Sequence, residues 1–436
     1  MGQDRPPTLL TGSDHAATIH VDGMVDALKL TPRWLLTRDF SLLWWSQVLS
    51  QIADGVSKLA LLWFVYAITG SPLKTTMIGL LQTLPPILFG PFIGVIVDRF
   101  PKKGILIGSD VARGLLIGAI PCWISVENFT VESLYVLTFL YGIATALFVP
   151  TLSSAVPFMV HRPQFTAANA LLQSTTSLGI IIGPALSGVG IAFSGSQDVL
   201  CLNAVTYLAS AACLVPIRLR SAEPAQTDSA GASQFGRYLI EGIRYAFLTH
   251  RNLLILIVLA SVYTFGTGAF TTLFPVFGRN MLGLGPVEVG YLWSWLGVGL
   301  FLASLGLIRI SGWNLQQRLS AIAASCALAG LSVVGLTWTQ DVRVAALLVA
   351  CIGIGFGAWT PIAWGIIQEV APSGMVGRVM AVYTAIATAT SMLGMSFFGW
   401  VAESFGSIVS AMGIGGVMFV LAWGSAWFGR RIGVSE

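Results

Sequence analysis

The chain has 436 residues, of which 55% are hydrophobic and only 10% charged, and a formal net charge of +4. Soluble domains carry about 25% charged residues, so this composition excludes a water-exposed globule and predicts a polytopic membrane protein. The small positive excess is explained by its distribution along the chain and does not call for nucleic acid as a partner.

Residues 1–38 are polar, of mixed charge and poor in aromatics, and read as a soluble tail with no secretory signal. Runs of about 20 apolar residues, long enough to cross a bilayer as helices, then recur at 41–68, 76–97, 104–125, 133–156, 166–193, 198–217, 253–277, 287–310, 319–338, 342–367, 376–401 and 407–428. Alternating segments of about ten residues, the mark of a membrane β-barrel, are not what these runs show. The longest connection, 218–252, opens on a Ser-, Ala- and Pro-rich stretch and continues "RYLIEGIRYAFLTHRN", which reads as an amphipathic helix. The expected organisation is a tail at 1–38, a six-helix half at 39–217, a linker at 218–252, a second six-helix half at 253–430 and a short tail at 431–436. The fold class predicted is an all-α membrane protein of twelve transmembrane helices in two pseudo-symmetric halves. A shift of 211 residues lays Pro150 on Pro361, Gly183 on Gly394 and Gly188 on Gly399, as a parallel repeat would.

Lys and Arg set the orientation. With the tail inside, every basic residue lies in an inside connection except Lys74, Arg279 and Arg343 outside, and Lys58 and Arg113 within spans. Both termini are therefore expected in the cytoplasm, the protein in the cytoplasmic membrane and the lipid bilayer its surroundings.

The first span carries Gln47, Gln51, Asp54 and Lys58, spaced four, three and four apart. That spacing places them on one helical stripe. Charge at this depth costs roughly 2.5–3.5 kcal/mol on insertion scales. Two readings stand. Asp54 and Lys58 could neutralise each other at i, i+4, or the stripe lines a cavity in which Asp54 takes and releases a proton. In the third span Asp110 and Arg113 share a face at i, i+3. Arg113 stays protonated and needs a counter-charge, with Asp110 the local candidate and Asp54 the distant one.

Between the second and third spans lies "GVIVDRFPKKG", Gly94 to Gly104. It resembles the G-x-x-x-D-R-x-G-R-K signature of the major facilitator superfamily, matched by Gly94, Asp98, Arg99, Lys102 and Lys103, with Pro101 in place of the usual glycine. In that family the acid and the basic residues latch a gate against the other half, and the resemblance implies that role here. "GIIIGPALSG" in the fifth span supplies Gly179, Gly183, Pro184 and Gly188 and resembles the family's antiporter signature, with Ser187 replacing one glycine. Physically it offers close helix approach at small residues and a bend at the proline; in the family it accompanies export. The "Q-x-x-S-x-x-A-D-G" of the first span (Gln47, Ser50, Asp54, Gly55), Arg113, "TAANALLQ", "EGIRY" and "VGRVMAV" together resemble the drug:proton antiporter branch that includes macrolide-efflux and enterobactin-export proteins. One departure is that the fourth span lacks the Arg many of those antiporters carry. The same resemblance makes Arg378 a partner of Glu369 or Asp98 across the gate.

Further candidates to line a substrate cavity are Asn169 and Gln173, Tyr263 and Phe270, Trp359 and Trp364, and Tyr383; for any one aromatic, plain core packing is the competing reading. The five cysteines lie in apolar runs without CxxC spacing, and the four histidines do not cluster, so neither a disulfide frame nor a metal site is expected. No phosphate-binding GxxxxGK[ST] loop and no nucleophile motif appears, so no cofactor, ATP-driven step or enzymatic activity is expected. The predicted function is secondary export of an amphipathic small molecule against protons by a monomer. The alternatives are an uptake symporter of the same fold and a non-transporting receptor or scaffold.

Overall fold

The computed structural model describes residues 37–124, 130–160, 165–218, 251–307, 313–370 and 376–432. The expected tail up to residue 36, and the amphipathic helix expected in the linker, lie outside the described residues. Among the described residues eleven α-helices follow in chain order: α1 Arg38–Thr69, α2 Pro72–Arg99, α3 Lys102–Ile124, α4 Val131–Ala155, α5 Phe165–Leu214, α6 Arg251–Leu282, α7 Pro286–Leu307, α8 Leu315–Leu336, α9 Val342–Val370, α10 Val376–Phe405 and α11 Ser407–Ile432.

Helix α5 is 50 residues long and holds two crossings. At 1.5 Å per residue its length is about two and a half times the roughly 30 Å hydrocarbon core. The backbone breaks at Gly195, with φ 86° and ψ 164°, a conformation open essentially to glycine alone. Both ends of α5 return to the start of α1: Ala168 and Leu172 pack with Phe40, and Leu214 packs with Leu43. The described residues thus make twelve crossings, and each begins and ends within about five residues of the run read from hydropathy, because bilayer thickness sets both lengths. In lipid every backbone amide must find a partner within its own helix, and caps complete the ends. Ser71 accepts from the Lys74 amide ahead of Pro72, and Asn314 and Gln317 form a reciprocal capping box.

We call the end carrying Thr37 and Ile432 the near end, and the other the far end. Helices α1–α5 make one half and α6–α11 the other. The halves meet along α5 against α7 and α2 against α10. The repeat is visible in the glycines. On α5, Gly183 abuts Gly55 of α1 in its own half, while Gly188 abuts Pro286 and Gly290 of α7 in the other. On α10, Gly394 abuts Phe265 of α6 in its own half, while Gly399 abuts Thr76 of α2 in the other. The positive-φ residues pair in the same way: Gly70 with Gly283, and Gly195 with Gly406, all four closing far-end turns.

Among the described residues the hydrogen bonds that join the halves lie from mid-bundle to the far end. Tyr66 Oη donates to Asn280 Oδ1 at 2.6 Å, and Asn280 donates in turn to Ser407 Oγ at 3.0 Å. Glu403 of α10 accepts from Ser71 Oγ at 2.7 Å and from the Leu73 amide at 3.3 Å, which places a carboxylate on the N-terminus of α2. Ser294 of α7 donates to the Ile181 carbonyl of α5 at 2.5 Å. Toward the near end α2 is open: a Cβ at Gly90 or Gly94 would meet nothing within 4 Å, and Leu88, Phe92 and Val95 are exposed. The halves are held together at the far end.

Candidate functional site

Asp54, midway along α1, points its carboxylate into its own half, toward α3, α4 and α5. Arg113 of α3 donates from Nη1 to Asp54 Oδ1 at 3.0 Å and Oδ2 at 3.3 Å. Its Nη2 donates to Ser50 Oγ at 2.9 Å and to Asp110 Oδ1. The guanidinium lies between two rings, with Cζ 4.3 Å from the centre of Phe148 and 4.9 Å from that of Tyr207. Asp110 also takes a bond from Ser210 Oγ at 2.6 Å. Tyr207 and Tyr141 each donate to Asp54 Oδ1, at 2.7 and 3.0 Å, and their hydroxyls are 2.8 Å from each other. Asn203 fixes the α1 backbone beneath this cluster, donating to the Ala53 carbonyl at 3.0 Å and Ser57 Oγ at 2.6 Å.

The side chains of Arg113 and Asp110 are 1% and 0% exposed; that of Asp54 is 27% exposed. One member of the ionic cluster can therefore be reached and the other two cannot. Two carboxylates share one guanidinium. Three oxygens, Asp54 Oδ1 and the two phenols, form a triangle of hydrogen-bond length, yet an ionised Asp54 leaves only two hydroxyl protons for its three edges.

Sequence spacing brought Asp54, Asp110 and Arg113 forward as candidates, and the structure assembles all three. The partner of Asp54 is Arg113, not Lys58. Among the described residues Lys58 has no carboxylate at ion-pair distance; its Nζ lies 5.5 Å from the ring centre of Trp293 on α7. Gln47 is buried with its Nε2 unpartnered, and Gln51 lies against Gly179. Tyr141, Tyr207, Ser210, Asn203 and Phe148 were not singled out from sequence. The available signal was the phenol: a buried tyrosine hydroxyl usually finds a partner, and both tyrosines sit inside apolar spans.

The other half carries no matching ionic cluster among the described residues. Tyr263 stacks on Trp359 with ring centroids 5.0 Å apart, and donates to the Phe356 carbonyl at 2.8 Å. Trp359 Nε1 donates to Tyr383 Oη at 3.0 Å, and Phe270 packs edge-on against Phe356. Tyr263, Phe270, Trp359 and Tyr383 are all buried and pack together as an aromatic cluster. Asn169, Gln173 and Trp364 are exposed.

A sequence profile described as Major Facilitator Superfamily matches residues 43–395. The chain belongs to this superfamily. It is 24% identical over 375 residues to macrolide efflux protein A of Streptococcus pyogenes, a match covering 84% of this chain and 90% of the relative. It is 26% identical over 366 residues to the multidrug efflux pump Tap of Mycolicibacterium fortuitum, covering 81% and 86%. Among solved structures, the nucleoside transporter NupG superposes with a TM-score of 0.73 at 10% identity, covering 88% of this chain and 98% of that one. A bacterial homologue of the lysosomal transporter Spinster, inward-facing and unoccupied, superposes with a TM-score of 0.70 at 13% identity, covering 92% and 98%. These structural likenesses establish the fold. The protein is a multi-pass membrane transporter and not an enzyme.

The superfamily signatures can now be placed. In the stretch 94–104 Gly94 is open, Arg99 exposed and Lys102 half-buried; the side chain of Asp98 lies outside the described residues. Lys103 does not reach the other half in this state. Its Nζ donates to the Val215 carbonyl at 2.6 Å, where a cation suits the C-terminal end of α5. Glu369 pairs with Arg318 of α8, through Oε1 and Oε2 at 2.7 and 2.8 Å. Arg378 is half-buried at the start of α10. The α5 signature is a packing device: Gly179 and Gly183 admit the backbone of α1 at Gln51–Gly55, and Pro184 and Gly188 admit α7 at Pro286–Gly290.

Proposed function

We propose that this transporter exports amphipathic small molecules from the cytoplasm in exchange for protons, with Asp54 as the proton carrier. Both termini and the near end face the cytoplasm, in keeping with the skew of Lys and Arg, so the state described is inward-open. One chain holds both halves and the space between them, which suffices for a monomer. The efflux proteins among its relatives support export and an amphipathic substrate.

The observation that carries the proton reading is the partly reachable carboxylate in a cluster of two acids and one Arg. With both acids ionised the cluster holds one uncompensated negative charge in a low-dielectric setting, where such charge is costly. One proton on Asp54 cancels that charge and fills the empty edge of the oxygen triangle. Arg113, locked between Phe148 and Tyr207, stays cationic and keeps Asp54 aimed into its half. Asp110, fully buried, is the fixed counter-ion. A proton that enters Asp54 from outside and leaves inward moves down the membrane potential, which contributes about 2.3 kcal/mol per charge per 100 mV. Rocking about the α5–α7 and α2–α10 contacts then exposes the cavity to the two faces in turn.

The test is reconstitution in liposomes with an imposed pH gradient and a radiolabelled macrolide. Wild type accumulates it with the gradient and Asp54→Asn does not, while both exchange it at equal pH. Gradient-driven accumulation by Asp54→Asn at the wild-type rate removes Asp54 from the coupling.

A further inference from the structure

We infer that Lys58, backed by Trp293, is a subsite for the carboxylate of an amphipathic organic acid. Within the exporter reading above, this adds a class of anionic substrate to the cavity. Lys58 sits two-thirds of the way along α1, at a depth where an ammonium is expensive. Its side chain is exposed, yet its Nζ stands 5.5 Å from the Trp293 ring centre. Since α1 and α7 belong to opposite halves, Lys58 reaches from one half toward the other.

The chain offers this cation no counter-charge among the described residues. Asp54, four residues away on the same helix, accepts from Arg113, Tyr141 and Tyr207 on the other side. Asp110 is enclosed with Arg113, Glu403 caps α2 at the far end, and Glu288 lies in the first turn of α7. A reachable, unpaired ammonium inside the membrane is a functional site by default, and its missing partner is an anion brought by a ligand. Trp293 is held in place by an edge-on contact with Phe274, ring centroids 5.2 Å apart. Its ring is itself buried, so it backs the lysine and leaves the ammonium as the reachable group. The ammonium fits a carboxylate, and the apolar stretch of α1 around Lys58 suits an apolar body behind it.

The experiment is equilibrium binding of 2-naphthylacetate and its neutral amide to the purified full chain in neutral detergent, without a gradient. Failure of proton coupling at Asp54 leaves this measurement untouched. Wild type is expected to bind the acid about tenfold or more tightly than the amide. Lys58→Met is expected to lose that preference while keeping its affinity for the amide, which shows an intact cavity, and Lys58→Arg to keep the preference. Equal binding of the two probes by wild type, binding of neither, or a preference that survives in Lys58→Met overturns the proposal. So does displacement of the acid by phosphatidylglycerol at lipid concentrations, which assigns the ammonium to a lipid phosphate.

Discussion

Replacing Glu403 with alanine removes the carboxylate that ties α10 of one half to the N-terminus of α2 in the other. Two donors lose their acceptor, Ser71 Oγ at 2.7 Å and the Leu73 amide at 3.3 Å. Hydrogen bonds to a charged group contribute about 1.5–3 kcal/mol when sheltered. Glu403 is exposed, and water competes for both donors, so the pair together contributes about 1–2 kcal/mol to the state closed at the far end. These bonds must break when that end opens, so the whole difference falls on the equilibrium between states, a factor of about 5–30. A thiol placed by Thr76→Cys, in a background free of the five native cysteines, reports it. Thr76 is fully buried, directly beneath Gly399 across the interface. A membrane-impermeant maleimide should label that thiol about 5–30 times faster in Glu403→Ala, and less so in Glu403→Gln, which keeps an acceptor oxygen. An unchanged labelling rate in Glu403→Ala, with the protein melting as wild type, refutes the reasoning.

Arg113→Met leaves the buried Asp110 and its neighbour Asp54 without their shared cation; losing one partner of a buried ion pair costs about 3–5 kcal/mol, and thermal melting in detergent should fall steeply, with much of the loss recovered when Asp110→Asn is added. Gly183→Val drives a branched side chain into Gly55 and Ile52 of α1, and overpacking of about 1–3 kcal/mol should appear as a lower melting temperature, with Gly90→Val, which meets open space, near neutral. Gly195→Ala and Gly406→Ala each force a side chain into a backbone region reserved for glycine, at a cost of order 1–3 kcal/mol, and chemical denaturation should rank the two alike because they hold equivalent positions in the two halves.

The crossings were legible because their cause is one-dimensional: a bilayer of fixed thickness demands apolar runs of fixed length. Asp54 and Arg113 were legible for the same reason, since a charge inside such a run stands out against its neighbours. What surrounds them was not. Tyr141 and Tyr207 look like ordinary apolar bulk in sequence, and only folding brings α4 and α5 around the Asp54 carboxylate. The i, i+4 spacing of Asp54 and Lys58 suggested a local pair, but three donors from other helices outweigh one flexible neighbour on the same helix. Glu369 shows the same limit: its partner Arg318 is 51 residues away on α8, and no local spacing announces it. The aromatics Tyr263, Phe270, Trp359 and Tyr383 were visible as candidates, but whether a ring faces a cavity or a core is decided by the helix behind it.

The four glycine turns at Gly70, Gly195, Gly283 and Gly406 leave little chain at those points of the far face. The reversals after α1 and α6 span two and three residues, that within α5 rests on Gly195, and that between α10 and α11 on Gly406 alone. An epitope or fluorescent domain spliced into any of them would have to prise apart helices packed right up to the bend. The segment between Leu336 and Val342, which joins α8 to α9 without a left-handed residue, is the described far-face site where such a graft can be carried.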